Sequence, residues 1–223
     1  MLAWTYILFM VIALPILAIR SASAIRSGRV PLPARGAVHA NTLITLTVLL
    51  GIAAVVALRE DLQLFPVWRP GWIDIAAIAG FMVASLTMLA GRSRTLDGPE
   101  RIRLEAITMS NWRDPRQLLP YTLICIMAGL AEEVAFRGVL SRLLERELGS
   151  SFAATAIASL AFGLAHAMQG FAGAVLASLF ALAFHMIVIA TGDLYSAIIA
   201  HAAYDLIAGV VVARMAMSRN PTG

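Results

Sequence analysis

The sequence predicts an all-α, polytopic helical membrane protein with seven or eight transmembrane helices, on three observations. First, 60% of the 223 residues are hydrophobic and only 13% are charged, with a mean hydropathy of +0.83. A soluble domain carries roughly 45–50% apolar and about 25% charged residues. Second, seven apolar segments, at 2–19, 38–58, 72–91, 118–140, 151–169, 171–190 and 194–215, approach or reach the roughly 20 residues that a helix needs to cross the hydrocarbon core. Third, the basic residues flank these runs, as the positive-inside rule expects of a membrane topology.

The same composition argues against a water-soluble enzyme, a disordered tail and a disulfide scaffold, and Cys125 is the only cysteine. All 17 basic residues are arginine, and the isoelectric point is near 10.0. Nucleic acid is not an expected partner, because no zinc knuckle, RNA-binding signature or basic tail is present. Membrane lipids account for the arginines better.

The first segment lacks the positive n-region of a signal peptide, and its arginines follow the apolar run, so it reads as a retained helix despite the cleavage-like Ser21-Ala22-Ser23-Ala24. The 20–37 loop holds Arg20, Arg26, Arg29 and Arg35. The 92–117 loop holds Arg92, Arg94, Arg101, Arg103, Arg113 and Arg116, and the tail holds Arg214 and Arg219. In a seven-span arrangement these twelve lie on one side, against five on the other (Arg59, Arg69, Arg137, Arg142, Arg146). An outside N-terminus and a cytoplasmic C-terminus follow. The 92–117 loop also reads as an interfacial segment, with Pro99 at a helix start and Ile102, Ala106 and Met109 on one face. No internal repeat or low-complexity linker divides the chain, so 1–223 is expected to be a single membrane domain.

Charged groups inside a span are costly and mark function by default. The fourth segment carries Glu132, Glu133 and Arg137. Glu133 and Arg137 share a helix face and can pair. Glu132 points about 100° away, free to face a cavity. An ion-paired network that only glues helices together is the bland reading of such a pair. In the fifth segment Phe162 lies one turn before His166 and can wall the imidazole. In the seventh, Asp193 suits an N-cap, and His201 and Asp205 stand four residues apart. Each feature is weak singly. Two carboxylates, two histidines and an aspartate in three apolar helices are hard to explain as packing.

Together, Glu132-Glu133-x-x-x-Arg137, Phe162-x-x-x-His166 and His201-x-x-x-Asp205 resemble, in order and spacing, the three motifs of the CPBP family. This group comprises the CAAX proteases and bacteriocin-processing (Abi) proteins, including type II CAAX prenyl endopeptidase-like members. The resemblance covers roughly 115–210, the expected catalytic core. It implies a helical membrane fold with a polar cavity and an intramembrane endopeptidase activity on peptides or membrane-associated proteins. By position, Glu132 would activate water and His166 would position or protonate. Glu133 would pair with Arg137, and His201 and Asp205 would stabilise the oxyanion. The family allows Asn or Asp at the last position, and an ionised Asp205 cannot donate. It would then be protonated, orient His201, or ligate a metal. His166, His201, Asp205 and Glu132 form a credible zinc set, so the protease is expected to be either glutamate-dependent or metal-dependent. No His-Glu-x-x-His motif is present.

One difficulty concerns depth. In a simple register His166 lies near the end of its helix, whereas Glu132 and His201 lie nearer mid-helix. Convergence then requires a fifth helix that runs past Gly170 or a re-entrant end.

Other readings fare worse. Tyr204-Asp205 and Gly192-Asp193 come in the wrong order for an intramembrane aspartyl protease, and Ala190 replaces a needed glycine. No glycine-flanked serine suits a rhomboid-type site. Cys125 reads as inert packing, and His39 and His185 as structural, with His185 the nearer to the cavity. The alternatives from other classes are a proton-coupled transporter, for which repeat symmetry is lacking, and a non-catalytic peptide-binding or immunity protein. The arginine-rich, lysine-free composition points to a bacterial inner membrane.

Overall fold

A computed structural model describes residues 1–31, 34–95 and 118–218. Among these are seven helices: α1 (Leu2–Arg26), α2 (Arg35–Arg59), α3 (Trp72–Thr95), α4 (118–148), α5 (Ser151–Ala165), α6 (Gly170–Thr191) and α7 (Tyr195–Ser218). Four stretches are long and apolar enough to cross a membrane: Leu2–Arg26, Gly36–Arg59, Trp72–Gly91 and Ala167–Thr191. The other apolar helices include the shorter Ser151–Ala165 and Tyr195–Val211, so the chain is an all-α integral membrane protein. The expected interfacial segment with Pro99, Ile102, Ala106 and Met109 lies outside the described residues.

Helix bounds differ from the sequence expectation in ways that matter. α1 continues past residue 19 to Arg26, taking the Ser-Ala repeat into the helix. It widens into a π turn at Phe9–Ala13, which ends two residues before Pro15. The proline lacks an N–H and crowds the carbonyl four residues back, and a wider turn relieves that crowding. α4 runs eight residues beyond the expected end at 140, to Leu148, and α5 stops at Ala165 rather than 169.

α4 is the axis of the molecule, packing against α2, α5 and α7. Its middle, Glu133–Leu140, is a second π segment in which all eight residues are buried. A π segment displaces backbone partners, and the Tyr6 hydroxyl donates to the Ala135 carbonyl at 3.0 Å. Around it lies the main apolar core, which draws Met10 from α1, Ala53 and Val56 from α2, Leu140 and Leu143 from α4, and Ala158 from α5. A second cluster joins Phe184 and Ile187 of α6 to Ala197 and Ala200 of α7, covered by Phe81 of α3.

The α2–α3 connector is strapped across the end of α4. Arg142 Nη1 donates to the Gln63 carbonyl at 2.6 Å, and Arg146 Nη2 meets Glu60 Oε2 at 2.6 Å. The Tyr195 hydroxyl donates to the Pro66 carbonyl at 2.9 Å, and its ring stacks on Trp68. The Arg146 hydrogen bond holds the Glu60 carboxyl below its ordinary 4.5. A depressed folded pKa stabilises above the unfolded value, and that contribution fades as pH falls through the folded one. The strap is therefore expected to loosen in acid below pH 4.5, and Glu60→Gln to remove that part of the acid dependence of the melting temperature.

Candidate active site

The α4–α5 hairpin brings the first two motifs together. From Glu132 to Leu148 is sixteen residues, and from Ser151 to His166 fifteen, so at 1.5 Å per residue both arms are about 23 Å long. His166 thus returns to the level of Glu132. The expected alternative in which α5 runs past Gly170 is corrected. It ends at Ala165 with His166 as its C-cap, and the apparent mismatch came from ending α4 too early. A single 3₁₀ turn, Ala167–Gln169, then leads to Gly170 at φ +82°, ψ 179°, a conformation essentially restricted to glycine. Arg26 Nη1 donates to the Ala167 carbonyl at 3.4 Å, so this end of the cavity lies beside the arginine-bearing end of α1.

The third motif arrives by close helix contact. At Gly129, one turn before Glu132, an added Cβ would lie 2.9 Å from the Ile198 carbonyl and 3.0 Å from Ala202 Cβ. The missing side chain lets α4 and α7 touch. Gly129→Ala is expected to destabilise by about 1–3 kcal/mol through overpacking and to separate Glu132 from His201. Adding Ala202→Gly would restore only part of the loss, because the Ile198 carbonyl remains in the way. Thermal melts of the single and double variants check this.

The structure brings all the motif side chains into one cluster. Glu132 Oε2 lies 4.0 Å from His166 Nε2 and 3.7 Å from His201 Nε2. His201 Nε2 lies 3.6 Å from Asp205 Oδ2. Behind them Glu133 Oε1 takes Arg137 Nη1 at 3.0 Å and His201 Nδ1 at 2.8 Å. A carboxylate already paired with arginine accepts, so His201 Nδ1 is the donor there. The Phe162 carbonyl can only accept, so His166 Nδ1 donates to it at 2.8 Å, and Nε2 of a neutral His166 carries a lone pair. Glu133 is fully buried, and the Arg137 side chain is 3% exposed, whereas those of Glu132, His166 and Asp205 are 16%, 24% and 35% exposed.

These three more open groups and His201 line a cavity of about 220 Å³ together with Phe162, Phe180, Phe184 and Tyr204. Phe162 stacks on His166 with centroids 4.4 Å apart.

Several contributors lie outside the sequence motifs. Phe184 stacks on His201. The Tyr121 hydroxyl donates to the Asp205 carbonyl at 2.7 Å, and its ring occupies the space that a Gly209 side chain would fill. Neither residue stands at a fixed offset from a motif, and the only signal was an aromatic in an apolar helix. His185, expected to lie nearer the cavity than His39, is not among its lining residues. One residue beyond Phe184 on the helix, it points about 100° away. Cys125 is buried in α4. Asp193 Oδ1 accepts from the Tyr195 N–H at 2.9 Å and caps the start of α7.

The zinc expectation can be set against the donors present. Among the described residues no group of three or more His, Cys, Asp or Glu side chains is arranged to hold a metal ion.

Residues 114–207 match the family model for type II CAAX prenyl endopeptidase Rce1-like proteins. No curated protein and no solved structure matches the chain.

Proposed function

With an Rce1-like domain over residues 114–207 as the premise, we propose that the chain is a glutamate-dependent intramembrane endopeptidase whose catalytic core is 115–210 of a single membrane domain. The match supports a CAAX-type endopeptidase in general. The observation that carries the finer reading is the 4.0 Å gap between Glu132 Oε2 and His166 Nε2. It is too long for a direct hydrogen bond and suits one bridging water.

In this reading Glu132 takes a proton from that water while the His166 lone pair holds it in line. The hydroxide attacks the scissile carbonyl, and Glu132 then passes the proton to the leaving amine. General base catalysis of this kind contributes about 10²–10⁴-fold. His201 keeps Nδ1–H on Glu133 and offers Nε2–H to the oxyanion, the electrostatic element of the site. Asp205, 3.6 Å from that nitrogen, supports the charged imidazole rather than donating itself. Arg137 locks Glu133 in place.

The cavity lies at the α5–α6 turn, beside Arg26 at the end of α1, and an arginine at that end supports a cytoplasmic-facing site. Substrates would be peptides or membrane-associated proteins presented at that interface.

The test uses the purified chain in liposomes, with a farnesylated CAAX-type peptide, its unprenylated form and an internal pH-sensitive dye. Cleavage of either peptide by the intact chain but not by Glu132→Gln supports the proposal. Proton flux without cleavage overturns it in favour of a transporter.

A further inference from the structure

Phe184 belongs to none of the three motifs, yet it makes the most nearly parallel of the ring contacts in the site. Its ring and the His201 imidazole lie 4.6 Å apart and only 12° from parallel. Its contacts with neighbouring phenylalanines are different. Phe81 is tilted by 46° and Phe180 by 72°, the angles of ordinary aromatic packing. Phe184 is 1% exposed, and it stands seven residues before the end of α6, while His201 stands six after the start of α7. The α6–α7 hairpin therefore sets the two side by side.

One guanidinium stands behind this pair and its counterpart. Arg137 Cζ lies 5.5 Å from the Phe184 centroid and 4.8 Å from that of Phe162. Phe162 in turn stacks on His166. Each imidazole thus has its own aromatic plate, and Arg137 lies within cation–π range of both plates.

We propose that Phe184 is the positioning residue for His201, fixing the plane in which its two nitrogens act. The hydrogen bond to Glu133 Oε1 anchors one nitrogen but leaves the ring free to turn about that contact, because the outer torsion of histidine is soft. A parallel plate at van der Waals distance allows only in-plane placement. Plate and hydrogen bond together direct Nε2 into the cavity, towards Glu132 and Asp205. The inference rests on His201 being part of the site, but its test needs no cleavage, so a failure of the protease reading and a failure of this one are separable.

The experiment is solution NMR of the full-length chain in detergent micelles, with ¹⁵N-labelled histidine. The chain has four histidines, and the downfield Nδ1–H signal of His201 is assigned by its absence in His201→Gln. The intact chain, Phe180→Leu and Phe184→Tyr are expected to keep a slowly exchanging signal. Phe184→Leu and Phe184→Met fill similar volume without a ring face and are expected to lose the signal to solvent exchange while circular dichroism stays unchanged. Retention of the signal at its original shift and exchange rate in both variants overturns the proposal, as does its absence from the intact chain or its loss in Phe180→Leu. Unfolding of both Phe184 variants assigns the residue to the packed core and overturns it too. Where only one folds, that one decides.

Discussion

Glu132→Gln is expected to lower peptide cleavage by about 10²–10⁴-fold, the contribution of a general base, with little change in melting temperature. The side chain lines the cavity and its nearest imidazole nitrogens stand 3.7 and 4.0 Å away, so the amide fits the same space and no packed group is lost. Glutamine can still hold a water but cannot take its proton. A loss of activity accompanied by a large loss of stability would instead make Glu132 structural. Full activity in the glutamine variant would remove it from the mechanism.

Arg137→Leu carries the opposite expectation, with stability lost first. The arginine side chain is 3% exposed and its partner Glu133 fully buried. Deleting one member of a buried pair leaves an uncompensated charge and costs about 3–5 kcal/mol. The loss extends to His201, which donates to the same Glu133 oxygen, and to the two phenylalanine rings beside the guanidinium. Arg137→Lys is expected to recover little, since a compact ammonium lacks the planar fork and stacking face. The double variant Glu133→Leu/Arg137→Leu separates the effects. Replacing both charges by apolar groups is often neutral or stabilising, so melting temperature should recover in part, short by the cost of the orphaned His201 Nδ1–H, while cleavage stays lost because His201 no longer has its anchor. Recovery of both would reduce the pair to helix glue.

Much of this site is legible in the chain because its chemistry is local along helices. Glu133 and Arg137 are one turn apart, as are Phe162 and His166, and helical spacing alone puts each pair on one face. The same holds for His201 and Asp205. What the spacing could not give is how the helices meet. The length of α4 depends on its last turns, where Ser141–Leu148 is amphipathic and charged and so reads as a loop beyond the apolar run. That misreading created the apparent depth conflict at His166. The π segment at Glu133–Leu140 has no sequence signature, since its buried residues would suit an ordinary helix equally well. Phe184 and Tyr121 act across helices, where no offset in the chain marks the contact. The strap from Glu60 to Gly71 is likewise held by α4 and α7, through Arg142, Arg146 and Tyr195.

The central claim is that a water held by Glu132 cuts peptide bonds. Its most direct test compares protein N-termini in membranes of cells expressing the intact chain with those expressing Glu132→Ala, at matched levels of folded protein. The account predicts a set of new termini present only with the intact chain, mapping to sites near the cytoplasmic face. Identical termini in the two membranes, across several growth conditions, would contradict it.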